Sequence, residues 1–433
     1  MGRRNTRPDI KEISIMKKLA AMIGIMLTLA LGVACAMAEG EALPRVELVS
    51  TRLLGVLDLQ YKNIPTTAEL TYTDGKRSFT YPVMIKLQGG FTLNYEKKNY
   101  TIKFFEDNTF MEKKKVRFLD GWGKHSKYVL KANYQDCTQA RNIVGARLAA
   151  DMNRPYGIFP DAPNGGQTDG FPVELFVDGE YWGLYTVNIP KDGWMFGMSK
   201  KNENHLLMSA EHSSPPAVRF RGEAAGEPDV DWDIKHGPET DPDAMAVAYE
   251  KLNRAIRFVM NSTDEEYRDQ FSAYFNLDAA LNYYCYVLYT NTSDNMAKNL
   301  LLATLDGEVW YPMLYDLDTC FGLAYDGKDV SSPERTVDTY QGTESIFWER
   351  LVKVFPNELR ERYFELRKTV FNEDYIMELF TAFESGIPAD AWQREREKWP
   401  DVPGQDYGLD SIRQHIRDRE GFVDGIFSRL GAE

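Results

Sequence analysis

Cysteine and histidine are scarce: this 433-residue sequence has four of the first and five of the second. None falls at a metal-ligand spacing, which removes a zinc ribbon or a histidine-built metal centre from consideration. Cys35 lies in an N-terminal apolar run, so Cys137, Cys285 and Cys320 remain beyond it. An odd count leaves any disulfide pairing open, and Cys285 sits in an apolar helical pattern that reads as core. Positive charge is also in deficit, with 51 Lys and Arg against 65 Asp and Glu and a net charge of −14. That balance argues against nucleic acid or an anionic lipid surface as the main partner. Internal repeats are absent, which excludes a solenoid or a propeller.

What the chain does have is apolar and aromatic material, 43% and 13% of its residues. That is enough for a sizeable core, in two average domains or in one large domain with two lobes. The first 38 residues are of a different kind. Met16, Lys17 and Lys18 precede an apolar run over 19–34 and then Ala36-Met37-Ala38, the layout of a secretory signal cleaved after Ala38. Met16 offers an alternative start. The expected destination is secretion or the cell envelope. Membrane attachment would come only through a lipid on Cys35 or an uncleaved run, which is short for a span.

After the signal, residues 45–190 read as β-rich. Strand patterns cover 46–49, 68–72, 79–87, 99–105 and 128–133, and VELFVDGEYWGLYTV at 173–187 is a hairpin with an Asp-Gly turn. Gly89 and Gly90 join two of these strands, and such a pair lets the backbone approach a ligand, although an ordinary hairpin loop has the same sequence. In the strand that follows, alternation puts Lys98 on one face with Tyr100, Ile102 and Phe104, where it needs an anionic partner or must snorkel, and Lys97 on the other with Asn99, Thr101 and Lys103. Thr138 is placed to cap a helix over 139–152, with Arg141 in its first turn, where the helix dipole does not favour a cation. Residues 191–242 are rich in Pro, Gly and acids from 205 on and read as a loop or insertion. From 243 to 433 the pattern is helical, interrupted by one hairpin. Strands first and helices afterwards predict an α+β chain, a β-rich N-terminal lobe on a helical C-terminal lobe with a cleft between.

The interrupting hairpin is the chemical centre. Asp294, Asn295, Lys298 and Asn299 fall in one polar loop, followed by an apolar run at 300–304, an Asp306-Gly307 turn, a second run at 309–315, and then Asp316 and Asp318. Strand pairing brings the loop before the first strand beside the acids after the second. Carboxylates and a carboxamide at the open end of a hairpin form a hard-oxygen site suited to Mg²⁺ or Mn²⁺. A capped turn or a structural Ca²⁺ site is the bland alternative for the same residues. The two acids alternate onto one side of a strand, too close together to flank a glycosidic bond, which argues against a glycosidase. Asp294-x-x-x-x-Asn299 has the spacing of a kinase catalytic loop, in which the Asp takes a hydroxyl proton and the Asn holds a metal.

In this order of parts the sequence resembles the CotH family of spore-coat-type protein kinases, diverged members of the protein-kinase fold. The resemblance runs through LQGGFT at 87–92, EKKNYTIKF at 96–104, YVLKANYQDCTQARN at 128–142, VDGEYWGLYTV at 177–187, SDNMAKN at 293–299 and YDLDTCFG at 315–322, with Arg417, Asp418, Arg419 and Phe422 near the C-terminus. It implies a two-lobed kinase-like fold over 39–433 and transfer of the ATP γ-phosphoryl group to Ser or Thr hydroxyls of a protein substrate, with a divalent metal. It further implies Asp294 as catalytic Asp, Asn299 and Asp316 as metal ligands, Asp318 as helper or second ligand, and Lys98 with Gly89 and Gly90 at the phosphates. Lys131 and Arg141 are further candidates for the same cleft. Two departures stand out: the glycine loop lacks an Arg-Gly-Asn-Ser-Ser pattern, and Asn188 stands where a Glu is expected. A non-catalytic envelope or adhesion module with a structural Ca²⁺ is the alternative reading.

Overall fold

The computed structural model describes residues 42–227, 230–340 and 342–431, so the signal-like segment lies outside it. Seven strands lie within residues 45–188: β1 (Arg45–Ser50), β2 (Thr66–Thr73), β3 (Ser78–Gln88), β4 (Asn99–Phe104), β5 (Lys127–Lys131), β6 (Gly170–Val177) and β7 (Glu180–Asn188). Their alternation sends Leu48, Leu70, Ile85, Ile102, Leu130, Leu175 and Val187 into one buried core. The α+β reading holds, with one correction. The N-terminal strands do not form an open kinase-like lobe; they close into a barrel in the order β1-β2-β3-β4-β5-β7-β6. The closing pair is parallel, Arg45↔Glu174 to Leu48↔Val177, and it leaves no free edge on the sheet.

A second sheet of four strands has the order β11-β10-β8-β9, from β8 (Leu206–Ala210), β9 (Trp232–His236), β10 (Leu300–Thr304) and β11 (Tyr311–Leu314). Two of these strands lie in residues 191–242, which the sequence presents as loop. Every residue of β8 and β10 is buried. Leu207, Leu301, Ala303 and Met313 face the barrel core, whereas Leu206, Met208, Leu300 and Leu302 face the helical core. Burial on both faces is why β10 reads as an unbroken apolar run instead of an alternating one.

Helices supply the remaining layer: α1 (Arg141–Asn153), α2 (Pro242–Asn261), α3 (Asp264–Tyr274), α4 (Leu277–Thr290), α5 (Ile346–Val354), α6 (Pro356–Arg367), α7 (Glu373–Ser385), α8 (Ala389–Lys398) and α9 (Leu409–Arg429). The central one is α4, started by the Asn276 side chain on the Ala279 N–H and buried from Ala279 to Thr290. It ends at Asn291, in the left-handed region at φ 57°, and the fully buried Arg419 of α9 donates to the Leu288 carbonyl there. This fixed C-terminus aims the following residues, Thr292 to Asn299, at the start of β10. Cys137, Cys285 and Cys320 are all free thiols, and Cys285 lies in the core of α4. No helix among the described residues is long and apolar enough to cross a membrane.

Candidate active site

Because β10 runs antiparallel to both β8 and β11, the ends of β8 and β11 emerge at the same edge as the start of β10. The Asn299 N–H donates to the Ala210 carbonyl at 3.1 Å and locks that edge. Asp294 and Asn299 precede β10, Asp316 and Asp318 follow β11, and the hairpin brings them together as its spacing implies. Asn295, fully buried, staples the two segments with a 2.8 Å bond from its amide to the Tyr315 carbonyl. Asn299 and Asp316 both sit in the left-handed region, at φ 61° and 56°. Non-glycine residues there cost roughly 1 kcal/mol each, a strain typical of sites that must aim a side chain.

One oxygen of the Asp294 carboxylate, Oδ2, accepts from Lys298 Nζ at 2.7 Å and from the Asn299 amide at 3.2 Å. The other, Oδ1, is buried with no hydrogen-bond partner. Burial pushes the Asp294 carboxyl above the usual carboxylate range despite the Lys298 ammonium beside it. A carboxylate that holds its proton more readily and keeps one oxygen unengaged is suited to accept a hydroxyl proton.

The barrel supplies the facing wall. On β5, Tyr128 and Leu130 point into the barrel core, so Lys131 points outward, and its Nζ meets Asp316 Oδ1 at 2.9 Å. Just after that strand, Gln135 donates to Asp318 Oδ2 at 2.6 Å. Burial raises the Asp316 carboxyl, but Lys131, then Lys298 and Lys191, more than offset it and hold it below the ordinary value. Asp318 has the opposite fate. Burial and then the neighbouring Asp316 charge push it up to about 8.

The β3–β4 loop reaches the segment that follows the two acids, with Tyr95 donating to the Asp326 carbonyl at 2.8 Å and Phe91 edge-on to Tyr325. Gly89 needs to be glycine: its φ is 117°, and a Cβ would lie 2.1 Å from Thr92 Oγ1. Gly90 meets nothing within 4 Å. The lysine beside this loop is not arranged as alternation suggests. β4 begins only at Asn99, so the strand period does not reach residues 97 and 98. Lys98 curls back onto the carbonyls of Leu93 and Tyr95. Lys97 is the inward lysine, with its Nζ between Glu395 Oε1 at 2.5 Å and the Leu184 carbonyl at 2.6 Å. Arg141 is likewise engaged in holding the fold: its guanidinium binds Asp136 and, at 2.9 Å, the Tyr407 carbonyl, and it is fully buried. Asp136 also accepts from the Arg141 N–H at 2.9 Å, so this carboxylate starts α1 and resolves the dipole mismatch.

Several site residues carry no sequence signal. Gln135 has no motif of its own, and Lys298 stands only as one charge in a polar loop. A further group, Lys191, Ser209, Glu211 and Lys235, gathers at the same sheet edge from three separate segments. The chain distance between them hides the contact; the one hint is a charged residue at the end of each apolar strand.

The donor set fits a hard divalent cation. Asp316 and Asp318 offer carboxylate oxygens, and Asn299 offers a carboxamide oxygen, its amide nitrogen being turned to Asp294. Among the described residues no three or more His, Cys, Asp or Glu side chains are grouped so as to hold a metal ion, so this set brings two carboxylates only. Mg²⁺ and Mn²⁺ commonly take one or two carboxylates and complete their shell with phosphate and water.

The family model described as CotH kinase protein matches residues 85–423, from the second half of β3 to near the end of α9. No curated protein matches the chain.

Proposed function

The chain belongs to the CotH kinase family, and from that premise we propose that it transfers the γ-phosphoryl group of ATP to a Ser or Thr hydroxyl of a protein outside the cytoplasm. The observation that carries this reading is the meeting of Lys131 with Asp316 beside the Asp294–Asn299 pair, at an edge built by two sheets. In a kinase the protein does little covalent chemistry; it positions the reactants and balances charge. Asp294 orients the substrate hydroxyl and takes its proton on Oδ1. Lys298 and Asn299 hold the opposite oxygen and so fix the carboxylate plane. Lys131 presents a cation to the phosphates and keeps Asp316 ionised. Asp316, Asp318 and Asn299 would hold Mg²⁺ or Mn²⁺, whose charge neutralises the phosphoryl oxygens when bound. The β3–β4 loop with Gly89 and Gly90 would lie over the pocket and exclude water from it. The two-lobed kinase-like reading of the fold belongs to the same proposal, with the barrel as the upper lobe. Export rests on the signal-like residues 1–38.

The test is phosphorylation by purified protein with labelled ATP and Mn²⁺, on itself and on casein. Incorporation that disappears in Asp294→Ala and Asp316→Ala supports the reading, and its absence from the parent protein refutes it. A second reading, a non-catalytic envelope module with a structural Ca²⁺, draws on the internal partners that Asp294, Asp316 and Asp318 already have. It expects Ca²⁺ to raise the melting temperature and ATP with Mn²⁺ to leave it unmoved.

A further inference from the structure

Lys191 follows β7 by three residues, in the connection from the barrel to the second sheet, and its side chain turns back to the site edge. Its Nζ donates to Glu211 Oε1 at 2.7 Å and to Ser209 Oγ at 3.1 Å, and it lies 4.8 Å from the centre of the Tyr315 ring. Glu211 is the residue after Ala210, whose carbonyl is tied to Asn299, and Tyr315 is the residue before Asp316. The ammonium is therefore referenced to both halves of the site. Glu211 Oε1 also accepts from Ser209 Oγ at 2.9 Å and from Lys235 Nζ at 2.9 Å, while Lys235 takes Asp233 as a second partner at 2.8 Å. One carboxylate oxygen thus organises two lysines and a serine, and Ser209 is fully buried.

We propose that Lys191 is a second anion-binding group of the cleft, opposite Lys131, which grips the polyphosphate of a nucleoside triphosphate, and that Glu211, Ser209 and Lys235 are its positioning residues. The proposal rests on the kinase reading of the site and names how its nucleotide is held. An ammonium has three N–H donors. Glu211 and Ser209 take two, which leaves a third for an anion, and the side chain keeps 17% exposure. Lys131 and Lys191 act on the same Asp316 carboxylate from different elements, β5 and the β7–β8 connection, yet Lys131 alone bonds to it. A phosphate chain bound at Asp316 would lie between the two ammonium groups. Asn188, where a Glu is expected, makes no pair with either lysine; Glu211 supplies the carboxylate from another strand.

The experiment measures Mn²⁺-dependent binding of ATP, inorganic tripolyphosphate and adenosine to the parent protein, Lys191→Met, Lys191→Arg and Glu211→Gln. Loss of one charge-assisted phosphate contact weakens ATP and tripolyphosphate by about 10-fold or more in Lys191→Met. Adenosine is unaffected, Lys191→Arg recovers most of the affinity, and Glu211→Gln falls between. Ligand-free melting of each variant reports folding separately. The proposal is overturned by equal phosphate affinity in Lys191→Met, by an equal loss for adenosine, or by a parent protein that binds no tripolyphosphate. A parent protein that binds tripolyphosphate through Lys191 but transfers no phosphate upholds this site and refutes the kinase reading instead.

Discussion

The ammonium of Lys131 and the carboxylate of Asp316 meet at 2.9 Å although 185 residues separate them. One comes from the barrel and the other from the end of β11, so this pair joins the two β units at the chemical site. It also accounts for the unlike behaviour of two acids two residues apart. Lys131 holds the Asp316 carboxyl below its ordinary value against the effect of burial, whereas burial and then the Asp316 charge push Asp318 up.

Removing that cation has two expected effects. Lys131→Met should lower phosphoryl transfer by about 100-fold or more, since a fixed charge at developing negative oxygen is lost. It should also lower metal-free stability by about 2 kcal/mol, below the usual figure for a broken buried pair because Asp316 keeps 31% exposure. Urea unfolding in chelator and a labelled-ATP assay read the two separately. Unchanged stability would mean that the pair does not form in solution.

Asp294 should behave in the opposite manner. Its charged form is disfavoured by burial, and Oδ1 lacks a partner, so the fold gains little from its ionisation. Asp294→Asn is expected to keep stability within about 1 kcal/mol of the parent, or to raise it, while activity falls by about 10²- to 10⁴-fold. A variant that both unfolds and loses activity would make Asp294 a structural residue.

How much of this was legible follows from the reach of each pattern. The 300–315 hairpin and its flanking acids are local, because a turn fixes register over a few residues, and the loop–acid juxtaposition is found as read. The helical character of 243–433 follows from its period, and the structure caps two of its helices with the Thr263 and Asn276 side chains. Barrel closure was not legible, since the β1–β6 pairing joins residues 129 apart at Arg45↔Glu174 and alternation does not name a strand's partner. β8 and β9 were hidden in a polar context. Lys97 was lost to a one-residue slip, because a strand's period cannot be extrapolated past its end.

That slip has a measurable counterpart. Lys97 and Glu395 form a fully desolvated pair, with side chains 0% and 5% exposed, and Glu395 Oε2 also accepts the Leu184 N–H at 2.7 Å. Glu395→Leu or Lys97→Met strands a buried charge and should cost about 3–5 kcal/mol in urea unfolding. The double variant Lys97→Met with Glu395→Leu should recover much of that, because it removes both desolvation costs together. Additive losses in this double-mutant cycle would show that the two side chains do not act as a pair.

His415 gives the pH prediction. It is 5% exposed in α9, against Gly322 and the Asn291 amide, and burial followed by the charges of Arg419 and Arg141 lowers its pKa to about 3 from 6.5. Above 6.5 the imidazole is neutral whether folded or unfolded, and the full contribution to stability is present. As pH falls toward 3 the unfolded chain takes up a proton that the folded chain refuses, so stability is lost with acid. The slope is about 1.4 kcal/mol per pH unit, which accumulates to on the order of 5 kcal/mol across the window. Asp318 works in the other sense between 3.8 and about 8, because its protonated form is the one the fold prefers. The His415 contribution is therefore read as a difference between parent and His415→Gln across pH 4.5 to 6.5, in which the Asp and Glu titrations common to both proteins cancel. The variant's unfolding free energy should fall less steeply with acid than the parent's. Parallel curves would show that His415 titrates alike in both states, and that its burial against Gly322 does not govern acid stability.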